Sequence, residues 1–130
     1  MTKKPASHLF GQTAESLAAQ HLKKKGYHIL GRNVQFQGGE LDLIARDGKT
    51  LVFVEVKARR SDSHGGMLST ITESKKQRLI KLAARYLSQH QLSYQESRFD
   101  VVLCRQHPDD SFEIIHIEHA FEVPGEDSRW

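Results

Sequence analysis

Glu55 and Lys57 stand inside an otherwise apolar run, Leu51-Val52-Phe53-Val54-Glu55-Val56-Lys57, and this placement constrains the chain more than any other feature. A charge buried in such a run costs several kcal/mol unless a partner or an ion compensates. Across the Asp47-Gly48 pair, a strong hairpin signal, lies a second run, Gly39-Glu40-Leu41-Asp42-Leu43-Ile44-Ala45. The two runs predict antiparallel strands over 40–46 and 50–58.

Strand alternation puts Leu51, Phe53, Glu55 and Lys57 on one face, and Glu40, Asp42, Ile44 and Arg46 on one face of the partner strand. A four-residue turn at 47–50 pairs Arg46 with Leu51, which sets Asp42 opposite Glu55 and Glu40 opposite Lys57. A two-residue turn shifts the pairing by two positions but keeps the same faces together. Two carboxylates roughly 5 Å apart repel each other, which raises a pKa or recruits a cation. Mg2+ or Mn2+ suits such a pair, because a small hard ion takes one or two carboxylates and binds phosphate through its remaining positions. Lys57 adds a donor for a phosphate oxygen. The competing reading of the same residues is a cross-strand ion-pair lattice on a solvated face.

The rest of the chain supplies a frame. Phe10, Ala14, Leu17, Ala18, His21 and Leu22 make the stripe of a helix over 9–25, and Lys23-Lys24-Lys25-Gly26 supplies its terminating signals. A strand follows over 27–36, and Gly38-Gly39 breaks it. Residues 59–66 read as a polar loop. Thr72 or Ser74 caps a second helix running to about 89, with Leu79, Leu82, Ala83, Tyr86 and Leu87 inward. Two more strands, 99–104 and 112–117, flank a Pro108-Asp109-Asp110 turn, and 123–130 forms a loose tail. The expected architecture is therefore α/β, a central mixed sheet with flanking helices in the order α-β-β-β-α-β-β. One domain accounts for all 130 residues, with its core at about 9–121.

Composition adds limits. The net charge of +3 leaves room for a polyanionic partner without demanding one. A lone Cys104 excludes an internal disulfide framework and a Cys-rich zinc site, and points to reducing cytoplasm. No apolar segment follows Lys3-Lys4 to make a signal peptide, and no run approaches the roughly twenty residues that span a bilayer, so no membrane partner is expected. Of the eight histidines only His116 and His119 are near-spaced, and they read as core or surface groups rather than zinc ligands. Asp100, just after Arg98, reads as an arginine partner, and Phe99, Phe112 and Phe121 as core.

Larger motifs then align with a known family. Phe10-Gly11-x-x-Ala14-Glu15, Gly39-Glu40-x-Asp42-Leu43-Ile44-Ala45, Phe53-Val54-Glu55-Val56-Lys57-Ala58-Arg59 and Arg98-Phe99-Asp100-Val101-Val102 resemble the small bacterial YraN-like family over about residues 9–121. Asp42 with Glu55-x-Lys57 resembles the core of the PD-(D/E)xK nucleases, the restriction-endonuclease-like fold. Archaeal Holliday-junction resolvases are more distantly similar. The resemblance implies a Mg2+- or Mn2+-dependent endonuclease in which Asp42 and Glu55 hold the metal, Lys57 positions the nucleophile or scissile phosphate, and Glu15 completes the site. Leu41 stands where the superfamily motif names Pro, and Gln77 is followed four residues later by Lys81 rather than Tyr, which departs from the exonuclease branch.

The partner implied is DNA, structured or branched, with Arg59, Arg60, Lys75 and Lys76 contacting its backbone and Gly65 and Gly66 loosening the loop beside them. A homodimer would double the basic footprint. The alternative function is a nucleic-acid-binding module that keeps the nuclease fold and cuts nothing; a third is a regulatory partner whose charges form only an ion-pair lattice.

Overall fold

A computed structural model describes residues 6–60 and 71–123, and the side chains from Thr13 onward. Its elements are α1 (Ala6–Lys24), β1 (His28–Phe36), β2 (Gly39–Asp47), β3 (Thr50–Arg60), α2 (Glu73–Gln89), β4 (Ser97–Gln106) and β5 (Phe112–Phe121). This is the expected α-β-β-β-α-β-β order. The five strands form one sheet in sequential order, β1-β2-β3-β4-β5. Only β3 and β4 are parallel, because α2 carries the chain back between them; the other three pairs are antiparallel.

The helices cover opposite faces. Ala14, Ala18, Ala19 and Leu22 of α1 pack on Leu43, Ala45, Val52, Val54, Val102 and Cys104. Alanine at three of these four helix positions brings the α1 backbone close to the sheet. On the other face Leu79, Leu82, Ala83 and Leu87 of α2 pack on Leu41, Ile44, Leu51, Phe53, Phe99 and Phe121. Phe53 anchors this side, its ring 5.6 Å from Phe99 and 5.9 Å from Tyr86. Truncating such a ring to Ala costs about 3–5 kcal/mol.

Both helices end in the same device. The Tyr27 amide bonds to the Leu22 carbonyl and the Gly26 amide to that of Lys23; Gly26 takes the left-handed conformation this requires, φ 95°. In α2 the equivalent bonds run from Leu92 to Leu87 and from Gln91 to Ser88, and a non-glycine residue, Gln91, sits at φ 57°. Thr72 is the N-cap, its Oγ1 accepting from the Lys75 amide at 3.1 Å.

Several boundaries differ from the sequence expectation. β3 continues through Arg59 and Arg60, which pair with Arg105 and Gln106, so these arginines belong to a strand and not to a loop. The rest of the expected loop, with Gly65 and Gly66, lies outside the described residues. β4 begins at Ser97 and β5 runs on to Phe121, past the apolar segments that announced them. Among the described residues no helix is long and apolar enough to cross a membrane.

Candidate active site

β2 and β3 pair from Asp47–Thr50, through Arg46–Leu51 as expected, to Leu43–Val54, and there the ladder ends. The expected rungs Asp42–Glu55 and Glu40–Lys57 do not form. Leu43 faces α1, whereas Leu41 and Ile44 both face α2. Strict alternation would separate Leu41 from Ile44, so the strand turns over at Asp42, and Glu40, Asp42, Ile44 and Arg46 do not share one face. β1 turns at the same level: Arg32 reaches Ser16 of α1 at 3.0 Å, Val34 packs toward α2, and Asn33 between them has φ 49°. The turn swings the Asp42 carboxylate toward β3, where Oδ2 accepts the Val56 amide at 2.9 Å. Asp42 and Glu55 thus lie near each other, as expected, but without the backbone rung expected between them.

The polar groups converge on a cavity of about 300 Å³ lined by Glu15, Asp42, Glu55, Lys57, Arg59 and Lys75, with Ala14, Val56 and Ala58 beneath. Carboxylate oxygens of Glu15, Glu40 and Asp42 all lie within 4.8 Å of one another. Glu15 comes from α1 and the other two from β2. Glu55, continuing the Leu51-Phe53 face of β3, is held differently: its Oε1 lies 2.6 Å from Lys75 Nζ and 3.3 Å from Lys57 Nζ.

The electrostatics follow from this crowding. Burial, then the charges of Glu55 and Glu15, push Asp42 up to about 7, against the opposing Val56 bond and Lys75 charge. Burial and the neighbouring Lys75 lower Lys57, although Glu55 opposes them. Burial also works to lower Lys75, but its bonds to Glu55 and Lys57 and the charges of Glu55 and Asp42 carry it above the usual value.

Each residue singled out from sequence has a definite position. Glu15, Asp42, Glu55, Lys57, Arg59 and Lys75 meet in the cavity. Arg59 Nη1 is bonded to the Ala58 carbonyl at 2.9 Å. Arg60 points to Gln106, 3.3 Å from its Oε1. Lys76 turns away to Glu73 at 3.1 Å and lies 5.8 Å from the Phe121 ring centre. Sequence reasoning did not assign Glu40 to the carboxylate group, although its place two residues before Asp42 was the available signal. The Lys75–Glu55 bond had no signal, because it depends on how α2 lies across the sheet after leaving β3.

A second polar cluster lies on the α1 side. Asp100 is fully buried and accepts from Arg98 Nε and the His119 amide, both at 3.0 Å, with His116 Nε2 2.7 Å away. Arg98 also donates to Tyr27 Oη at 2.8 Å and Asp47 Oδ2 at 3.2 Å, and Tyr27 donates to Glu118 at 2.9 Å. Arg98 is thus the partner expected for Asp100. With the Asp100 carboxylate held by three partners, this cluster is a structural tie between β4, β5 and the turn after α1.

Comparison with known proteins gives a consistent result. The model of the uncharacterised protein family UPF0102 matches residues 14–104, which contain every cavity residue named above. The UPF0102 protein of Symbiobacterium thermophilum is 43% identical over 113 residues, covering 87% of this chain and 96% of its own. That of Chlorobium chlorochromatii is 45% identical over 120 residues, covering 87% and 91%. Among solved structures, SfsA of Pyrococcus furiosus in complex with Ca2+ aligns with a TM-score of 0.39 at 16% identity, over 86% of this chain and 63% of that one, a likeness too slight to carry an argument.

Proposed function

The chain belongs to the uncharacterised protein family UPF0102, the YraN-like family, and from that footing we propose that it is a metal-dependent endonuclease of the PD-(D/E)xK, restriction-endonuclease-like kind, hydrolysing phosphodiester bonds of DNA. One observation carries the reading. Three carboxylates from two elements converge within 4.8 Å, beside a buried glutamate that holds two lysines. All the donors are hard oxygens, and this set fits Mg2+ or Mn2+ better than a softer ion. Glu15, Glu40 and Asp42 would hold the ion, with Glu55 within reach once its lysines move.

The ion would supply Lewis acidity and neutralise charge developing on phosphate. The chain's own groups do the rest. Val56 fixes Asp42 through Oδ2, so Oδ1 is directed without a search over rotamers. Lys57 and Lys75 present ammonium donors to the non-bridging oxygens, and Arg59 adds a guanidinium at the rim. The lowered pKa of Lys57 suits a group that exchanges a proton with attacking water or with the departing oxygen.

The alternative is a nucleic-acid-binding module that keeps this fold and does not cut. It is favoured by one feature: Glu55 is already neutralised by lysines, so half of the site needs no ion. The deciding experiment titrates Mg2+ and Mn2+ against linear, supercoiled, single-stranded and four-way-junction DNA. Nicking by the wild-type chain that disappears in Asp42→Asn supports the nuclease. Salt-sensitive binding without cleavage of any form, under either ion, leaves the binding module.

A further inference from the structure

Lys75 makes a tight contact in the cavity, and the contact is with a carboxylate that the proposed chemistry needs. Its Nζ is 2.6 Å from Glu55 Oε1, the length of a strong charge-assisted bond. Lys57 shares the same oxygen at 3.3 Å. The side chains of Glu55, Lys57 and Lys75 are only 7%, 13% and 26% exposed, so screening by water is weak. The backbone of Lys75 is fixed by the Thr72 cap, so only its flexible four-carbon arm brings the ammonium to Glu55.

The charges around this contact do not balance. Glu15, Glu40, Asp42 and Glu55 are four carboxylates, and Lys57, Lys75 and Arg59 are three cations. With Lys75 withdrawn, the deficit becomes two charges, which is what one divalent cation supplies.

We propose that Lys75 is a tethered counter-ion that competes with the divalent cation for the carboxylates of this cavity, and that the arriving ion releases its ammonium to bind a phosphate oxygen of the nucleic acid. The inference rests on the reading of the cavity as a cation site. It makes Lys75 a positioning residue in the ion-free chain and a phosphate contact in the loaded one. It also couples the two ligands: the ion creates the free lysine that the phosphate takes up, so each should bind more tightly in the presence of the other.

The test is a Mn2+ titration of the full chain, followed by the electron paramagnetic resonance signal of the free ion. Lys75→Met removes the competitor on a helix that methionine suits, and should bind Mn2+ roughly tenfold more tightly than wild type. Lys75→Arg keeps a cation on Glu55 and should stay near wild type, while Asp42→Asn should bind more weakly. In a second measurement, Ca2+ should raise the affinity of the wild-type chain for a short labelled duplex by a larger factor than that of Lys75→Met. Equal or weaker Mn2+ binding by Lys75→Met, with wild type binding normally, overturns the competition and leaves the cation site standing. If neither protein binds Mn2+, the cation site itself is wrong and the competition falls with it. Thermal melts of each variant establish that the fold is retained.

Discussion

The Val56 amide donates to Asp42 Oδ2 at 2.9 Å, just beyond the last β2–β3 rung at Leu43–Val54. A side chain thus takes over where the backbone ladder stops. The carboxylate is fixed in orientation by this bond while being crowded by Glu55 and Glu15, so the folded chain holds a repulsion at this point.

That repulsion gives a pH dependence of definite sign. Folding raises Asp42 from 3.8 to about 7, so the folded chain binds the extra proton and the unfolded chain does not. Stability should therefore fall as pH rises from about 4 to about 7 and level off above, by roughly 2–3 kcal/mol after allowing for solvent screening. Asp42→Asn keeps an acceptor for Val56 and carries no charge. In chelator-treated protein it should lack this slope and melt higher than wild type at about pH 8. Parallel pH curves for the two proteins would show that Asp42 is not under strain.

Asp100 should produce the opposite limb. Burial works to raise its pKa, but the bonds from His116, Arg98 and the His119 amide outweigh it, and the carboxyl titrates below its usual range. Its stabilisation is present above the unfolded value and lost as pH falls through the folded one. Asp100→Ala should cost about 3–5 kcal/mol, because Arg98 is left without its buried counter-charge. Urea titration measures the loss. Asp100→Asn should flatten the acid limb as well as destabilise.

The Asp100 cluster and the Asp42 site were legible to different degrees, for one physical reason. Arg98 lies two residues from Asp100, and strand alternation puts them on one side, so their pairing could be read locally. Asp42 and Glu55 were expected together and both line the cavity, but nothing in Leu41-Asp42-Leu43 announces the turn-over, shared by β1 at Asn33, that ends the ladder before their rung. The strand order itself was legible from short apolar runs and turn residues. The ends of β4 and β5 were not: Ser97 and Arg98 are held in register by Leu51 and Val52 of a neighbouring strand, and not by any preference of their own. Lys75 could be assigned to the inward flank of α2, but its bond to Glu55 depends on how α2 crosses the sheet.

Gln91 offers a change that should stabilise. It occupies the left-handed position after α2 at φ 57°, which glycine adopts without strain. The hydrogen bonds of that turn use only backbone groups, so substitution leaves them intact. Gln91→Gly should gain about 0.5–1 kcal/mol after the entropy cost of glycine in the unfolded chain. A higher urea midpoint with an unchanged m-value is the expected result, and a lower midpoint would mean that the Gln91 side chain contributes an interaction of its own.

The cations named from sequence should separate when DNA binding is measured against salt. Arg59 lines the cavity, whereas Lys76 is turned to Glu73 and the Phe121 ring on the flank of α2. Removing a side chain that neutralises one phosphate should reduce the slope of log affinity against log salt by roughly 0.9 on duplex DNA. Arg59→Ala should therefore lower both affinity and slope, and Lys76→Ala should change the slope little. Glu55→Gln gives a third outcome. It releases Lys75 and Lys57 from their shared carboxylate and should raise affinity and slope while abolishing nicking, since affinity comes mainly from lysine and arginine and cutting from the carboxylates. A slope that fell as far for Lys76→Ala as for Arg59→Ala would put the DNA on the α2 flank instead, and the cavity would then no longer be where the backbone binds.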